Sequence, residues 1–343
     1  MSPKESQLLN EVLENTQLQH QPFVVIRDQS WFPARPILRE LVRRAVARGE
    51  TLTLVSALNS IEDLVPCGMP VGRIKTLDLS GEVAGYSALG PFSETKERIV
   101  SSYKGGQMFI DAIDVLAEDY TASSVMCLVR ELLTSVKAHK APSRLVLLLS
   151  EGSLLSHLIS PTFSTTLTLL TPHSSALLTH LSKLYLSPIS ENPSPNYWMV
   201  LENAVKRQTG KELALRGEED VEFGWVKGEE VVIQVLVRKA TGGIKGTSRS
   251  LEALTPTSLP GALVVCPLSS ILDLTPFSLP QSSSVLGTTE PTHASLDLPF
   301  NLALTDKQKQ KRDQVPLPYA HEGEGASGDL IWIDEEETDD EEI

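Results

Sequence analysis

The sequence predicts an open α/β sheet, mostly parallel, with helices on both faces. Three observations carry that expectation. FVVIRD at residues 23–28 and RLVLLLS at 144–150 are near-continuous apolar runs, the signature of parallel strands covered on both sides. Segments of 3.6-residue apolar periodicity lie between such runs, clearest at Ile37, Leu38, Leu41, Val42, Ala45 and Val46. The chain has 343 residues, 41% of them hydrophobic, enough for a sizeable core.

Taken in order, the N-terminal 20 residues form a short helix or loose arm around Leu8, Leu9, Val12 and Leu13. Residues 23–28 are the first strand. Pro36 suits the first turn of a helix that runs to Ala47 and is closed by Gly49. Thr51–Ala57 and Arg73–Leu79 are further strands, followed by a helix over Ser93–Tyr103 capped by Ser93. Met108–Leu116 starts as a strand and passes into a loop or helix. Ser123–Ala138 is a long helix, 144–150 and Phe163–Leu170 are strands, and Ala176–Leu186 is a helix. Tyr197–Lys206 and Val231–Lys239 are expected as late strands, antiparallel to each other.

The composition divides the chain into five parts: an N-terminal arm at 1–20, the α/β domain at 21–240, and a Gly/Pro/Ser-rich linker at 241–292. A partner-docking segment at 293–320 and an acidic, disordered tail at 321–343 follow. The formal charge is −14, from 44 acidic and 30 basic residues. Eight of the acids sit in DEEETDDEEI at 334–343, so 36 acids against 30 bases remain for the body. A mildly acidic body lacks the field of a stand-alone nucleic-acid binder.

Cys67, Cys127 and Cys266 form no CxxC pair and no Cys/His ligand spacing, so neither a disulfide framework nor a zinc site is expected. The first residues show no apolar signal-peptide core, and no apolar run is long enough for a bilayer. The expected location is cytoplasmic and nuclear, with no membrane partner.

A phosphate-binding loop would fall between the first strand and its helix. That chemistry needs glycines, whose backbone N–H groups can converge on phosphate, and a lysine for the terminal phosphate. Here the connection reads RDQSWFPARP at 27–36, with two prolines, two bulky aromatics and no glycine. Asp111 and Asp114 stand where a nucleotide hydrolase places its Mg²⁺-binding acid. Without a phosphate loop opposite, they are expected to cap the next segment or bind backbone. There is no GxSxG elbow and no HExxH pair, and nothing supplies Ser153 with a base. No catalytic residue and no cofactor are expected.

Two basic groups could contact RNA phosphates. Arg39, Arg43, Arg44 and Arg48 share the polar side of the first long helix, where a solvated face is the plainer account. Arg238, Lys239, Lys245 and Arg249 surround the Gly-rich segment after residue 240. A third feature is apolar. Leu296, Leu298, Phe300, Leu302 and Leu304 alternate with Asp297, Pro299, Asn301 and Ala303, a period-two strand pattern. Pro299 points to an edge position, and strand addition to a partner or to the chain's own sheet is the expected use.

The C-terminal third carries a resemblance. Phe300-Asn301-Leu302 is followed by a Lys/Gln-rich run ending in Lys311-Arg312-Asp313, then Leu317-Pro318-Tyr319, then GDLIWI at 328–333 before the acids. This order resembles the fifth-subunit family of the Elongator complex. The strand ending in Arg27-Asp28, with its amphipathic helix, is similar to that family too. Trp332 stands where the family usually has Tyr, and the tail lacks the family's DPDDD-type repeat.

The resemblance implies a RecA-like domain with a degenerate phosphate loop. It implies a hetero-hexameric ring with Elongator subunits four and six, two copies of each. The ring docks on the catalytic subunits that modify the wobble uridine of tRNA, and tRNA reaches this chain through the assembled ring. It implies a non-catalytic role. Three rivals remain at this point. They are an active RecA-type ATPase, a DNA-recombination mediator of the same superfamily, and a scaffold recruiting a basic partner through its acidic tail.

Overall fold

A computed structural model of the chain describes residues 8–272, apart from 18–19, 30–31, 66–71, 73, 83–89, 141, 186–188, 191–192, 217–229, 244–245 and 259–260. The segment 293–320 and the tail 321–343 therefore lie outside the described residues.

The chain opens with α1 (Leu8–Glu14), β1 (Phe23–Asp28), α2 (Arg35–Ala47), β2 (Leu52–Ser56), α3 (Ile61–Leu64) and β3 (Ile74–Asp78). Next come α4 (Phe92–Ser102), β4 (Gln107–Asp111), α5 (Ile113–Asp119), α6 (Ala122–Ala138), β5 (Arg144–Ser150), α7 (Ser153–Ile159) and β6 (Leu167–His173). It closes with α8 (Ser175–Tyr185), α9 (Pro195–Lys206), α10 (Thr209–Arg216), β7 (Val231–Arg238), β8 (Thr247–Pro256) and β9 (Leu263–Cys266).

The strands form one nine-stranded sheet in the order β3-β2-β4-β5-β1-β6-β7-β8-β9. Every pairing from β3 to β6 is parallel, and β6 to β9 pair antiparallel. The order, with β1 between β5 and β6, is that of a RecA-like core extended by an antiparallel wing.

Alternation along each central strand feeds two cores. Val24, Ile26, Leu54, Phe109, Val146 and Leu148 pack with α1 and α2 on one side. Phe23, Val25, Val55, Met108, Ile110 and Leu147 pack with helices α4–α7 on the other. Both faces of each strand are buried, which is why their sequences read as unbroken apolar runs. Gly49, in the left-handed region at φ 77°, turns the chain out of α2 and donates to Val46 O at 2.9 Å.

The arm is a docked helix. Leu9, Val12 and Leu13 are fully buried. The Leu9 amide donates to Glu252 Oε1 at 2.9 Å, and Arg144 Nη1 donates to Val12 O at 2.7 Å. Arg144 has no exposed surface. Burial, reinforced by Arg48, lowers its pKa to about 9. Its Nε donates to Gln107 Oε1 at 2.6 Å.

Arg44 and Arg48 both pair with Glu14, at 2.6 and 3.0 Å. Arg43 and Arg44 both pair with Glu40, each at 2.6 Å. Three of the four arginines expected on an open α2 face are thus engaged within the protein. Glu40 also reaches β9. Leu263 stands opposite Pro256 in the ladder. The Leu263 amide donates to Glu40 Oε2 at 3.2 Å, and Leu263 O accepts from Arg44 Nη2 at 3.2 Å.

Several expectations need correction. Tyr197–Lys206 is the helix α9, not a strand. Pro195 lies in its first turn, Ser194 Oγ accepts from the Tyr197 amide, and Tyr197, Trp198, Leu201, Ala204 and Val205 form one buried stripe. The aromatic and β-branched content suggested a strand, but the spacing is helical. The stretch 241–292 is not simply a linker, because β8 and β9 lie in it and close the antiparallel wing. The strand expected at Phe163 begins at Leu167, and Phe163 packs on Phe23 at 5.8 Å between ring centres. Ser93 lies inside α4, whose cap position is Pro91.

Candidate functional site

Open α/β sheets hold ligands at the carboxyl ends of their strands. Here β1, β4 and β5 end around a crevice of about 220 Å³. Its lining is apolar at Pro33, Leu58, Ala112, Leu148 and Leu149, and polar at Asp28, Arg35, Asn59, Asp111, Asp114 and Ser150.

The β1–α2 connection fills the phosphate-loop position. Ala34 occupies the cap position of α2 and offers no side-chain acceptor. Asp28, the last residue of β1, takes over that role, with its Oδ1 accepting from the Ala34 amide at 2.6 Å. A carboxylate of the chain itself thus sits before the positive end of the helix, where a phosphate loop would hold an anion. Gln29 turns away from the crevice, donating to Pro172 O at 3.3 Å. The Asp28 pKa is raised. Burial is the largest cause, hydrogen bonds from Ala34 and Gln29 oppose it, and repulsion from Asp114 and Asp111 adds to it.

Asp111 ends β4, fully buried. Its Oδ2 accepts from the Asn59 amide, and Asn59 Nδ2 donates to both carboxylate oxygens, all at 2.9 Å. Asn59 is aligned in turn by Arg35, whose Nη1 donates to Asn59 Oδ1 at 2.8 Å, and by the Ser56 hydroxyl, which donates to its carbonyl. Asp114 Oδ2 accepts from the Ser150 amide at 3.2 Å, tying α5 to the end of β5. Between the two acids Ala112 adopts φ 47°, ψ 55°, a left-handed conformation uncommon for alanine. Both acids thus serve the chain's own backbone and amide, as expected from the sequence. Among the described residues no three His, Cys, Asp or Glu side chains converge to hold a metal ion.

Three carboxylates and one guanidinium give the crevice a negative balance, which disfavours a polyphosphate. Sequence reasoning located Asp111 and Asp114 but missed Asn59, Arg35 and the Arg27–Glu151 ion pair. The one local signal, for Asn59, is an Asn-Ser step three residues past the end of the buried strand β2.

The expected RNA-contact residues are placed differently from an open loop. Arg238 donates to three backbone oxygens, Ile159 at 2.9 Å, Ser164 at 2.7 Å and Thr165 at 3.4 Å. Arg249 pairs with Glu202 at 3.3 Å and lies 5.9 Å from the centre of a Trp198 ring. Lys239 is half-buried at the end of β7. Lys245 lies outside the described residues, as do Leu296, Leu298, Phe300, Leu302 and Leu304.

Fold and crevice together define a RecA-like α/β domain whose phosphate-loop position holds its own carboxylate. The family model described as Elongator subunit Iki1 matches residues 8–332, and the chain belongs to that family. No curated protein matches it. Among solved structures it is similar to the flagellar accessory protein FlaH from Methanocaldococcus jannaschii. Identity is 10%, coverage is 76% of this chain and 96% of that one, and the TM-score is 0.42. It is also similar to the KaiC-like protein PH0186 from Pyrococcus horikoshii OT3, at 13% identity, with 72% and 91% coverage and a TM-score of 0.39.

Proposed function

We propose that this chain is the fifth, non-catalytic subunit of Elongator. It builds an accessory ring with subunits four and six, two copies of each, and the ring supports wobble-uridine modification of tRNA in the cytoplasm and nucleus. Family membership supports the assignment to Elongator. The observation that carries the non-catalytic reading is the hydrogen bond from the Ala34 amide to Asp28, which places a carboxylate where phosphate would have to bind.

Affinity purification of the tagged full-length protein from its own cells tests the assembly role. The expected co-purifying chains are the two sister ring subunits and the larger catalytic subunits. Their absence from soluble, folded bait overturns the reading. The segment of Leu296, Leu298, Phe300, Leu302 and Leu304 is read as the contact to a ring partner. Replacing Phe300 and Leu302 with Asp is expected to abolish recovery of that partner. Calorimetric titration of the purified chain with Mg-ATP is expected to give no binding heat, and turnover by the chain alone would revive the ATPase reading.

A further inference from the structure

The amino-terminal ends of the parallel strands form the rim opposite the crevice. Two loops meet there, 103–106 before β4 and 139–143 before β5. Their contact is fixed by three observations. The Tyr103 and His139 rings lie edge-on with centres 5.4 Å apart, the Gly106 amide donates to Ser143 Oγ at 3.3 Å, and a side chain at Gly105 would meet the His139 ring. His20, just before β1, bonds Ser143 O through Nε2 at 2.7 Å and joins the same rim.

This packing gathers Lys104, Lys137 and Lys140 around His139, all four exposed. Among the described residues no ion pair involves any of the three lysines. Two acids at this end of the sheet, Glu14 and Glu50, are matched already. Glu14 is held by Arg44 and Arg48, and Glu50 by Arg48. Arg44 and Arg48 thus neutralise these carboxylates and leave the lysines as surplus charge. On a chain of formal charge −14 such a patch is a local exception, and a polyanion repelled elsewhere is drawn to it.

We propose that Lys104, Lys137 and Lys140 form a contact surface for the phosphodiester backbone of RNA, with His139 at its centre. This rests on the reading that the assembly handles tRNA, and it moves the contact away from Arg238 and Arg249, which are engaged within the protein. The chemistry favours RNA over a lipid surface. Among the described residues the large exposed apolar side chains, Leu58, Leu184, Tyr185, Met199 and Val264, belong to other loops and elements, so the described part of the rim offers no apolar anchor for a membrane. The exposed His139 ring, braced against Tyr103, adds a face on which a base can stack.

The test compares the full-length chain with its K104Q/K137Q/K140Q variant, which changes only exposed side chains. The probe is a labelled tRNA transcript, read by fluorescence anisotropy from about 50 to 200 mM salt. The variant is expected to bind about tenfold or more weakly at the lowest salt. The slope of log affinity against log salt should fall by about 2, one fraction of a counterion for each lost phosphate contact. An unchanged affinity and slope overturn the proposal. So does a polyglutamate peptide that competes as well as unlabelled RNA, because the patch would then be a dock for acidic protein. Recovery of sister subunits by the variant is scored separately. Loss of RNA binding with intact assembly supports the surface, whereas a wild-type chain that recovers no Elongator subunit removes the functional reading and not the patch.

Discussion

Asp28 Oδ1 lies 2.6 Å from the Ala34 amide nitrogen, and this bond closes the mouth of α2 from inside the molecule. The same carboxyl has a raised pKa, because burial and the neighbouring Asp111 and Asp114 outweigh the amides that favour its charge. A carboxyl whose folded pKa is raised favours the folded state below its unfolded pKa, and that advantage is lost as pH rises through the folded value.

Asp28→Asn, which retains an acceptor for the Ala34 amide without the charge, is therefore expected to be neutral or stabilising at pH 7. Its advantage should vanish as the pH falls toward the usual carboxyl range near 3.8. Asp28→Ala, which removes the acceptor, is expected to cost about 1 kcal/mol. Urea denaturation of both variants at several pH values checks the sign.

Asn59→Ala would leave the buried Asp111 carboxylate without its two side-chain donor contacts. Because the backbone amide of residue 59 survives, the expected cost is about 2–3 kcal/mol rather than that of an orphaned charge. Adding Asp111→Ala should cost less than the two single changes summed. A double-mutant cycle by chemical denaturation measures the coupling.

His173 is fully buried and bonds Gln234 Oε1 at 2.9 Å. Burial lowers its pKa to about 4, against a bonding contribution from Gln234, and Arg27 lowers it further. The unfolded chain thus binds a proton near pH 6.5 that the folded chain refuses. Stability is full above pH 6.5 and falls by about 3 kcal/mol as the pH drops to 4. His173→Asn, which cannot titrate, should flatten that part of a stability-versus-pH curve.

Gly106, at φ 81°, passes so close to Thr51 O that a Cβ there would collide with backbone. Gly106→Ala is expected to cost about 2 kcal/mol or more, from strain and overlap together. The midpoint of thermal unfolding is the readout, with Gly242→Ala as the comparison, since that glycine shares a positive φ but has nothing within reach of a Cβ.

The central elements were legible because their burial is symmetric. An unbroken apolar run such as 144–150 has few alternatives, and the stripe from Ile37 to Val46 fits one period only. Tyr197–Lys206 was misread because Tyr, Trp and Val raise strand propensity in a segment whose apolar spacing is helical. β8 was missed because SRSLEAL carries polar residues into the sheet. Glu252 is buried there because it receives the Leu9 amide from more than two hundred residues away. The crevice was legible by what it lacks, a glycine-rich loop. Its positive content, Asn59 on Asp111 and Ser150 on Asp114, joins residues 52 and 36 positions apart. No local pattern encodes such pairings.

Among the described residues β9 is the last strand of the sheet. An outermost strand with free backbone groups is a template that any extended chain can lengthen. At β9 the first of those groups, on Leu263, are taken by Glu40 and Arg44 of α2. A charge pair that resembles surface decoration in the sequence thus acts as a stopper against fibre-like growth. Disrupting it would be expected to show first as aggregation on storage, before any change in the crevice.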